Sequence, residues 1–464
     1  MEATNTIAPV AIPHVVKGEA LTKCTVIHTA GDGTTFATPK LVLDDLVWNR
    51  SHGLPAVDVP VAEIIDILVS LGEELRKDPD GLLADALEAL AATSPYERRI
   101  VENSYADIWQ MFNGDLLRAQ LDNELGGADV VDGWRPATGA TAGLGSYRAF
   151  PTRIVHVLAG NAPGVAAMTV ARGALMKGVH LLKMPSNDLL SATAILRALR
   201  AVAPDHPTTT SFSAVYWRGG DAEVEGTLFR PQFFDKLVAW GGDSAIRNAV
   251  AYLGPGFELV AFDPKNSISM IGREAFDSDQ TVAEVAAKTA VDSTPYNQEA
   301  CTSSRIHYVE GSTAELDRYC AALLTELRKE RRFTAAKVAP LPADTREEIA
   351  ALRAMEPMYR VFGDDDGTGL VIRSEDPVDF LPSSKTVNVV GVPTLEDAIG
   401  YVNVATQTVS VYPPARKDEL RDRLASAGAQ RVVKIGGSTA VTPGLAHDGF
   451  FPLHRFVRWV NDEN

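Results

Sequence analysis

The sequence predicts an α/β protein in which two parallel-sheet units follow a helical region. From Arg153 onward, short apolar runs alternate with helical segments, a pattern typical of strands joined by helical crossovers. A second stretch of the same kind continues to about residue 440, and the segments before residue 145 carry apolar residues at helical spacing. At 464 residues the chain is too long for one ordinary core, so two or three domains are expected.

Two helical segments are predicted before residue 145. Ile64, Leu68, Leu71 and Leu75 repeat at helical spacing, which indicates one buried face. The second helical region runs from about residue 97 to residue 125 and ends at Gly126-Gly127, a glycine pair of the kind that terminates helices.

The two α/β units are predicted from their apolar runs and helix signals. The first contains strands at 154–158, 179–183, 236–240 and 258–262 and helices at 165–177 and 186–202. The second contains a helix at 279–291, a capping box at Ser312 and Glu315, a strand at 387–392 and a helix at 395–404. These elements divide the chain into a helical region, two α/β domains and a C-terminal segment, with bounds at 1–145, 146–265, 266–440 and 441–464.

Composition narrows the classes of partner and compartment. The 44 Lys and Arg against 60 Asp and Glu give a net charge of −16, which argues against nucleic acid or an anionic membrane as the main partner. Met1–Asn5 carries no positive leader, and no stretch approaches the roughly 20 apolar residues that span a bilayer. Three cysteines are too few for a disulfide framework, so a reducing, cytoplasmic location is expected.

Cys301 is the candidate nucleophile. It follows the turn-like run Pro295-Tyr296-Asn297-Gln298 and precedes a predicted strand that begins near Arg305, which places it at the tip of a loop. Backbone N–H groups at such a tip can lower the pKa of a thiol and hold a developing oxyanion. Most free cysteines are buried structural residues, a description that suits Cys24 and Cys320 better.

Further candidate residues lie where predicted strands end. Asn161 can direct its amide at a substrate oxygen, and Lys183 can bond a cofactor ribose or phosphate. Gly241 and Gly242 precede a helix, where they can let a pyrophosphate approach the helix N-terminus. The Asn and Gly patterns are equally typical of ordinary turns, and Lys183 of a solvated lysine. The sequence has neither a G-x-G-x-x-G fingerprint nor a Walker A loop.

Taken in chain order, these residues resemble the landmarks of the aldehyde dehydrogenase superfamily. The landmarks are strand-Asn-x-Pro, strand-Lys-x-Pro-Ser, aromatic-Gly-Gly, Lys265-Asn266 and Asn297-Gln298-x-x-Cys301. Residues 121–126, 156–163, 238–242 and 447–449 resemble its acyl-CoA and fatty acid reductase branch, the LuxC-like enzymes. The resemblance covers about residues 60 to 460. It implies an aldehyde dehydrogenase-like fold, a Rossmann-type cofactor domain beside an α/β catalytic domain, and a homo-oligomer.

Two departures from the superfamily pattern refine the expected chemistry. Aldehyde-oxidising members carry a Glu that activates the deacylating water, and alignment on Lys265-Asn266 puts Ala261 at that place. NAD-preferring members carry a Glu three residues after the lysine, where this chain has Ser186. Loss of that carboxylate relieves repulsion of a 2′-phosphate, with which Lys183 can pair, so NADPH is expected rather than NADH.

The expected activity is reduction of an acyl thioester to an aldehyde. Cys301 takes the acyl group from acyl-CoA or acyl-carrier protein, NADPH delivers hydride, and the Asn161 amide with the Cys301 N–H holds the oxyanions. Two alternatives stay open: an NAD(P)-dependent aldehyde dehydrogenase that oxidises, with Glu258 or Glu299 as base, and a cysteine acyltransferase or thioesterase without redox chemistry. His447 is expected to be structural rather than a proton donor, being a lone histidine in a Gly/Pro-rich loop.

Overall fold

The computed structural model describes residues 9–31, 33–440 and 442–464. Met1–Asn5, the segment without a positive leader, lies outside the described residues. Within the described ranges, no helix combines the length and the apolar character needed to cross a membrane.

The chain before residue 145 contains strands as well as helices, whereas the sequence predicted a helical region. Strands β2 and β3 extend the sheet of the first α/β unit, because Val15 pairs antiparallel with Ala214. This pairing joins residues far apart in the chain, so local periodicity gives no sign of it. The strands are β1 Val10–Ala11, β2 His14–Val16, β3 Glu19–Leu21, β4 Val26–Thr29, β5 Thr35–Thr38 and β6 Arg135–Pro136.

The helices of this region bury the apolar faces that the sequence predicted. Ile64, Leu68, Leu71 and Leu75 are all buried on one helix, and Gly126 ends another in the left-handed conformation, at φ 68°. The helices are α1 Leu43–Leu46, α2 Val61–Lys77, α3 Leu82–Thr93, α4 Arg98–Ala106, α5 Gly114–Leu125 and α6 Asp129–Asp132, with 3₁₀ turns at Ile108–Phe112 and Gly139–Thr141.

The first α/β unit is built on a seven-stranded sheet of order β12-β11-β8-β9-β10-β2-β3, in which β8 to β12 run parallel. Parallel strands place their carboxyl ends at one edge, where ligands of such folds bind. Its strands after residue 145 are β8 Arg153–Val157, β9 Val179–Lys183, β10 Phe212–Val215, β11 Lys236–Trp240 and β12 Glu258–Phe262, while β7 Gly145–Pro151 lies between β6 and β20 in a separate three-stranded sheet. The helices are α7 Gly164–Leu175, α8 Ser191–Val202, α9 Pro207–Thr210, α10 Ala222–Leu228 and α11 Asp243–Val250.

The second α/β unit follows directly and is built on a sheet of order β15-β16-β17-β14-β13-β18-β19, parallel except for β15. Its strands are β13 Asn266–Ile271, β14 Ser304–Glu310, β15 Arg360–Gly363, β16 Leu370–Ser374, β17 Thr386–Val392, β18 Thr406–Tyr412 and β19 Arg431–Lys434. Its helices are α12 Asp279–Ser293, α13 Thr313–Leu327, α14 Ala343–Arg353, α15 Leu395–Ala398 and α16 Pro414–Ala427, with 3₁₀ turns at Arg273–Phe276, Pro295–Gln298 and Ile399–Tyr401. The chain closes with α17 Pro452–Phe456 and β20 Val457–Glu463, which pairs antiparallel with β7.

Two helices are shorter than the sequence predicted. The helix expected from Ser186 begins at Ser191, because Asn187 donates to the carbonyl of Gly160 and Asp188 accepts from the N–H of Ser191. The helix expected over 395–404 is α-helical only to Ala398 and then tightens into a 3₁₀ turn. The capping box at Ser312 and Glu315 is confirmed.

Buried histidines lie on the sheets of both units. His156 and His180 are hydrogen-bonded to each other at 3.0 Å, and His307 lies between the Ser293 hydroxyl at 2.9 Å and the Tyr319 hydroxyl at 2.8 Å. Burial lowers the pKa of His180 to about 3 and that of His307 to about 3, because the imidazolium form would lose its hydration. These side chains are therefore neutral packing residues.

We expect acid to weaken folding through these histidines. Below pH 6.5 the unfolded chain gains protons that the folded protein takes up only near pH 3, so the free energy of unfolding should fall through that window. Each such histidine contributes a slope of about 1.4 kcal/mol per pH unit. Urea unfolding between pH 7 and about pH 4 measures the slope. In His307→Asn the slope should decrease by the contribution of one histidine, and in His52→Asn, the variant of an exposed histidine, it should stay unchanged. An unaltered slope in His307→Asn would contradict the conclusion that His307 is buried in its neutral form.

Candidate active site

The loop that carries Cys301 has an unusual backbone. Tyr296, Asn297 and Gln298 have φ angles of 51°, 55° and 78°, so three consecutive residues with side chains occupy the left-handed region. Each such residue costs about 1 kcal/mol or more relative to the right-handed helix. The loop therefore needs specific interactions that hold it in this shape.

The side chains of Asn297 and Gln298 supply those interactions. Gln298 is fully buried and exchanges two hydrogen bonds with Thr386 on β17: its Nε2 donates to the Thr386 carbonyl at 2.7 Å, and its Oε1 accepts from the Thr386 N–H at 3.1 Å. The Asn297 Oδ1 accepts from the backbone N–H of Ala335 at 2.9 Å. Arg305 donates to the Gln298 carbonyl at 2.6 Å. The Asn-Gln pair before the cysteine thus fixes the loop rather than reaching a ligand.

Cys301 lies just beyond this turn and is exposed, whereas Cys24 is half-buried and Cys320 is buried. Its carbonyl accepts from the hydroxyl of Ser267 on β13 at 2.8 Å. Its Sγ accepts from the side-chain amide of Gln407 on β18 at 3.2 Å. Both neighbouring strands therefore contact the cysteine directly.

Irregular strand pairing lies beneath the cysteine. Asn266 on β13 lies opposite Thr406, but Ile268 lies opposite Val409, so β18 carries one extra residue between these pairs. Such a bulge leaves a backbone N–H without its ladder partner and re-aims the neighbouring side chain. Ser267 Oγ accepts from the Thr408 N–H at 3.2 Å, which satisfies that group while Ser267 donates to Cys301.

The surroundings raise the pKa of the Cys301 thiol above its usual range. Desolvation by the surrounding protein is the main cause, and the carboxyl of Asp448 adds to it. The Gln407 amide and the backbone N–H groups of Cys301 and Thr302 act in the opposite direction. The free thiol is thus mostly protonated at neutral pH, although its side chain reaches solvent.

A tight turn from the C-terminal segment closes this side of the site. Asp448 and Gly449 both have positive φ, at 50° and 81°, and the backbones of His447 and Phe450 are bonded across them. This is the geometry of a type I′ turn, which favours Asp-Gly. The His447 ring packs against Trp240 and Phe262 at the carboxyl edge of the first sheet. Burial, with Arg172 and Arg431, lowers the pKa of His447 to about 3, so His447 is a neutral packing residue.

Asn161 lies in a narrow cleft of about 60 Å³ beside the cysteine loop. The cleft is lined by Asn161 and Gly160 after β8, by Asn187, and by Tyr96 and Tyr296. The Asn161 side chain is exposed and forms no hydrogen bond with another described residue. A Cβ at Gly160 would lie 1.7 Å from the Asn187 amide oxygen, so a larger residue here would displace the Asn187 side chain. The structure thus brings Asn161 to the same cleft as Tyr296 of the cysteine loop.

Lys183 and Ser186 meet in a second cleft, of about 400 Å³, at the carboxyl ends of β9 and β10. Arg218 and Tyr216, which follow β10, line the same cleft, and Thr29 to Gly31 form its opposite side. The Lys183 Nζ lies 5.9 Å from the centre of the Tyr216 ring. Burial lowers the pKa of Lys183. Two cationic side chains and a hydroxyl therefore face one space that is large enough for part of a nucleotide.

Gly241 and Gly242 lie apart from the two clefts. They follow β11, and Gly242 is the N-cap of α11, with open space where its Cβ would lie.

Ala261 is near the carboxyl end of β12, whereas Glu258 is at the amino end of the same strand. At 3.3 Å per strand residue, Glu258 is about 13 Å from Phe262, the last residue of β12. Glu258 is ion-paired with Lys236 at 2.9 Å and Arg455 at 2.6 Å.

No local sequence pattern marks several of the residues that the structure places at these sites. Ser267 and Gln407 each lie among other polar residues of a strand, so nothing local distinguishes them, and Arg218 is a single basic residue after a strand. Only the pairing of β13 with β18, and of β9 with β10, brings them to the thiol and to Lys183.

We expect Gln298→Leu to destabilise the protein. The substitution leaves the C=O of Thr386 buried without its partner and removes one of two acceptors of the Thr386 N–H, which keeps the Ser383 carbonyl at 2.9 Å, so the free energy of unfolding should fall by roughly 1–3 kcal/mol. Urea unfolding measures this effect. Gln280→Leu is the matched control, because the Gln280 amide bonds only Glu284 on the exposed face of α12. Equal stability of the two variants would show that the loop does not depend on Gln298.

Comparisons with known proteins agree with this architecture. A lactaldehyde dehydrogenase from Escherichia coli superposes with a TM-score of 0.69 at 15% identity, covering 98% of this chain and 99% of that one. An NADP-dependent glyceraldehyde-3-phosphate dehydrogenase from Bacillus halodurans superposes with a TM-score of 0.67 at 12% identity, over 98% and 99% of the two chains. The fold is therefore that of aldehyde dehydrogenases, as the sequence predicted.

Sequence comparison defines the branch. A long-chain acyl-protein thioester reductase of Photorhabdus luminescens is 32% identical over 452 residues, covering 90% of this chain and 90% of that protein. One from Aliivibrio fischeri is 32% identical over 352 residues, covering 74% and 70%. The family model of acyl-CoA reductase (LuxC) matches residues 56–459. The chain therefore belongs to the acyl-CoA reductase (LuxC) family.

Proposed function

We propose that this chain reduces an acyl thioester to an aldehyde through an acyl-enzyme on Cys301. The observation that carries the proposal is an exposed thiol, in a chain of this family, on a loop held in a strained shape beside the Asn161 cleft. Relatives named long-chain acyl-protein thioester reductases support a thioester substrate. The acyl group arrives on a carrier protein or on CoA.

The chain's own residues supply the acyl transfer. The Cys301 thiolate attacks the thioester carbonyl, a C–S bond forms, and the donor leaves as a thiolate. The unpaired Asn161 amide and the Cys301 N–H hold the oxyanion that forms on the carbonyl oxygen. One such donor is worth roughly 2.7–4 kcal/mol in the barrier. The exposed position of Asn161 leaves its amide available for this contact.

The cleft at Lys183 fits a nicotinamide dinucleotide with a 2′-phosphate. Lys183 and Arg218 are the cations that would face the phosphate, and Ser186 offers a hydroxyl rather than a carboxylate at its position. The Gly241-Gly242 turn would lie beside the pyrophosphate at the carboxyl edge of the sheet. When bound, this cofactor supplies the hydride that reduces the acyl group, and NADPH is the form that the cleft favours.

The charges around the thiol favour reduction over hydrolysis. Glu258 is engaged by Lys236 and Arg455 at the opposite edge of the sheet, and Ala261 has no carboxylate to activate water. Glu299 is exposed beside Arg305. Neither glutamate that the sequence offered as a base is held against the thiol by a hydrogen bond, so the acyl-enzyme persists for reduction.

Acyl loading and direction of turnover test this function. Mass spectrometry of protein incubated with acyl-CoAs should show an acyl group on Cys301, and Cys301→Ala should lower thioester reduction with NADPH at least about a thousandfold. Cys320→Ala is the control, because this cysteine is buried in α13. Turnover of aldehyde with NADP but none of thioester with NADPH would favour the oxidative enzyme. Loading without any cofactor binding would favour an acyltransferase.

Cofactor preference tests the second cleft. Arg218→Ala should weaken NADPH binding about tenfold, while NADH binding changes little, because only NADPH carries the 2′-phosphate. Calorimetric titration with each cofactor measures the two affinities. Arg230→Ala, an exposed arginine of the same unit outside the cleft, is the control. Equal loss of both affinities would contradict a 2′-phosphate site at Arg218.

A further inference from the structure

The side-chain amide of Gln407 lies between two acceptors. Its Nε2 is 3.2 Å from Cys301 Sγ and 2.7 Å from Asp448 Oδ1. Gln407 is only 4% exposed, and the Asp448 side chain is 6% exposed. The thiol, the amide and the carboxyl therefore form a continuous chain of contacts that is largely shielded from water on one side.

The chemistry of the contacts fixes which end of the amide faces the sulfur. A carboxylate oxygen only accepts hydrogen bonds, so it selects the NH₂ group of Gln407 rather than the oxygen. The NH₂ group has two hydrogens, and the second one points at Sγ. The Gln407 Oε1 is on the other side, where the Thr408 hydroxyl lies at 3.5 Å. Without Asp448, the amide oxygen could turn towards the sulfur and repel a thiolate.

We propose that Gln407 is a further catalytic residue that donates to the Cys301 sulfur whenever it is anionic, and that Asp448 positions its amide. This inference rests on the proposed function for its catalytic meaning. In acyl capture, the thiolate that attacks is the species that Gln407 stabilises. In product release, the C–S bond breaks with its electron pair on sulfur, the oxyanion pair forms the aldehyde C=O, and the leaving thiolate again accepts from Gln407.

The fold supports this arrangement from two sides. The bulge in β18 between Thr406 and Val409 includes Gln407, at a position where a regular ladder would set its side chain differently. The type I′ turn at Asp448-Gly449 brings in the carboxyl from the C-terminal segment, with Asp448 in the left-handed region. Two irregular backbone features thus converge on one amide.

Several titratable groups face the carboxyl and the thiol. Asp448 is faced by Arg172 of α7, by Asp263 and Lys265 between the two sheets, and by its neighbour His447. Arg431 of β19 faces Cys301. The negative charge of Asp448 by itself raises the pKa of the thiol, whereas its contact with Gln407 keeps a donor on the sulfur. The two effects have opposite signs and can be separated.

The pH profile of Cys301 alkylation by iodoacetamide, followed by mass spectrometry of the Cys301 peptide, tests the amide. Gln407→Leu should raise the midpoint by about one pH unit and slow alkylation at neutral pH about tenfold, because the thiolate loses a donor. Val409→Ala, a buried control on the same strand, should leave the midpoint in place. An unchanged midpoint in Gln407→Leu would overturn the inference.

Two Asp448 variants separate positioning from charge, and both residues tolerate the left-handed turn. Asp448→Asn keeps an acceptor and removes the charge, so the midpoint should fall. Asp448→Gly removes both, so the amide is free to turn, the midpoint should lie above that of Asp448→Asn, and adding Gln407→Leu to Asp448→Gly should change the midpoint little. Equal downward shifts in both variants would show that Asp448 acts by charge alone and would overturn its positioning role.

These measurements remain informative if the proposed function fails. Alkylation needs neither thioester nor cofactor, so it reports on the thiol whether or not the protein is a reductase. If the protein reduces thioesters but its alkylation midpoint is unchanged in Gln407→Leu, this inference is refuted and the proposed function is not. A protein that shows the expected midpoints but no thioester reduction would refute the proposed function alone.

Discussion

The paired hydrogen bonds between the Gln298 side chain and the backbone of Thr386 hold the cysteine loop to the second sheet. They imitate one step of strand pairing, so a side chain takes the place that a neighbouring strand would occupy. This anchor offsets the cost of three successive left-handed residues, which in turn direct Cys301 outward. Since β17 is almost entirely buried, the position of the thiol is set by the sheet to which the loop is anchored.

The pairing of β13 with both of its neighbours, β14 and β18, is irregular where the sheet meets the loop. Ser267 accepts from the N–H that the β18 bulge exposes and donates to the Cys301 carbonyl, so one hydroxyl satisfies two backbone groups. A hydrophobic residue at this position would leave both groups unpaired in a buried place. The bulge, the serine and the cysteine therefore form one unit, in which the position of each depends on the other two.

The elements that the sequence predicted correctly are those that local patterns determine. The helix with Ile64 and Leu68, the parallel strands and the capping box at Ser312 depend on periodicity and on neighbours a few residues away. The residues it missed depend on pairing between distant strands. Val15 joins the first sheet through Ala214, and Gln407 reaches the thiol only because β18 lies beside β13 with an extra residue. The register between strands that are distant in the chain cannot be predicted from a single sequence.

The turn at His447-Asp448 ties the two sheets together, with the His447 ring on Trp240 and Phe262 and the Asp448 carboxyl on Gln407. Asp448 follows every strand of both sheets in the chain, so the thiol has its carboxyl neighbour only when the segment after the second sheet is docked. A substitution that loosens the packing of His447 on Trp240 and Phe262 would therefore change the reactivity of the thiol without altering the cysteine loop itself.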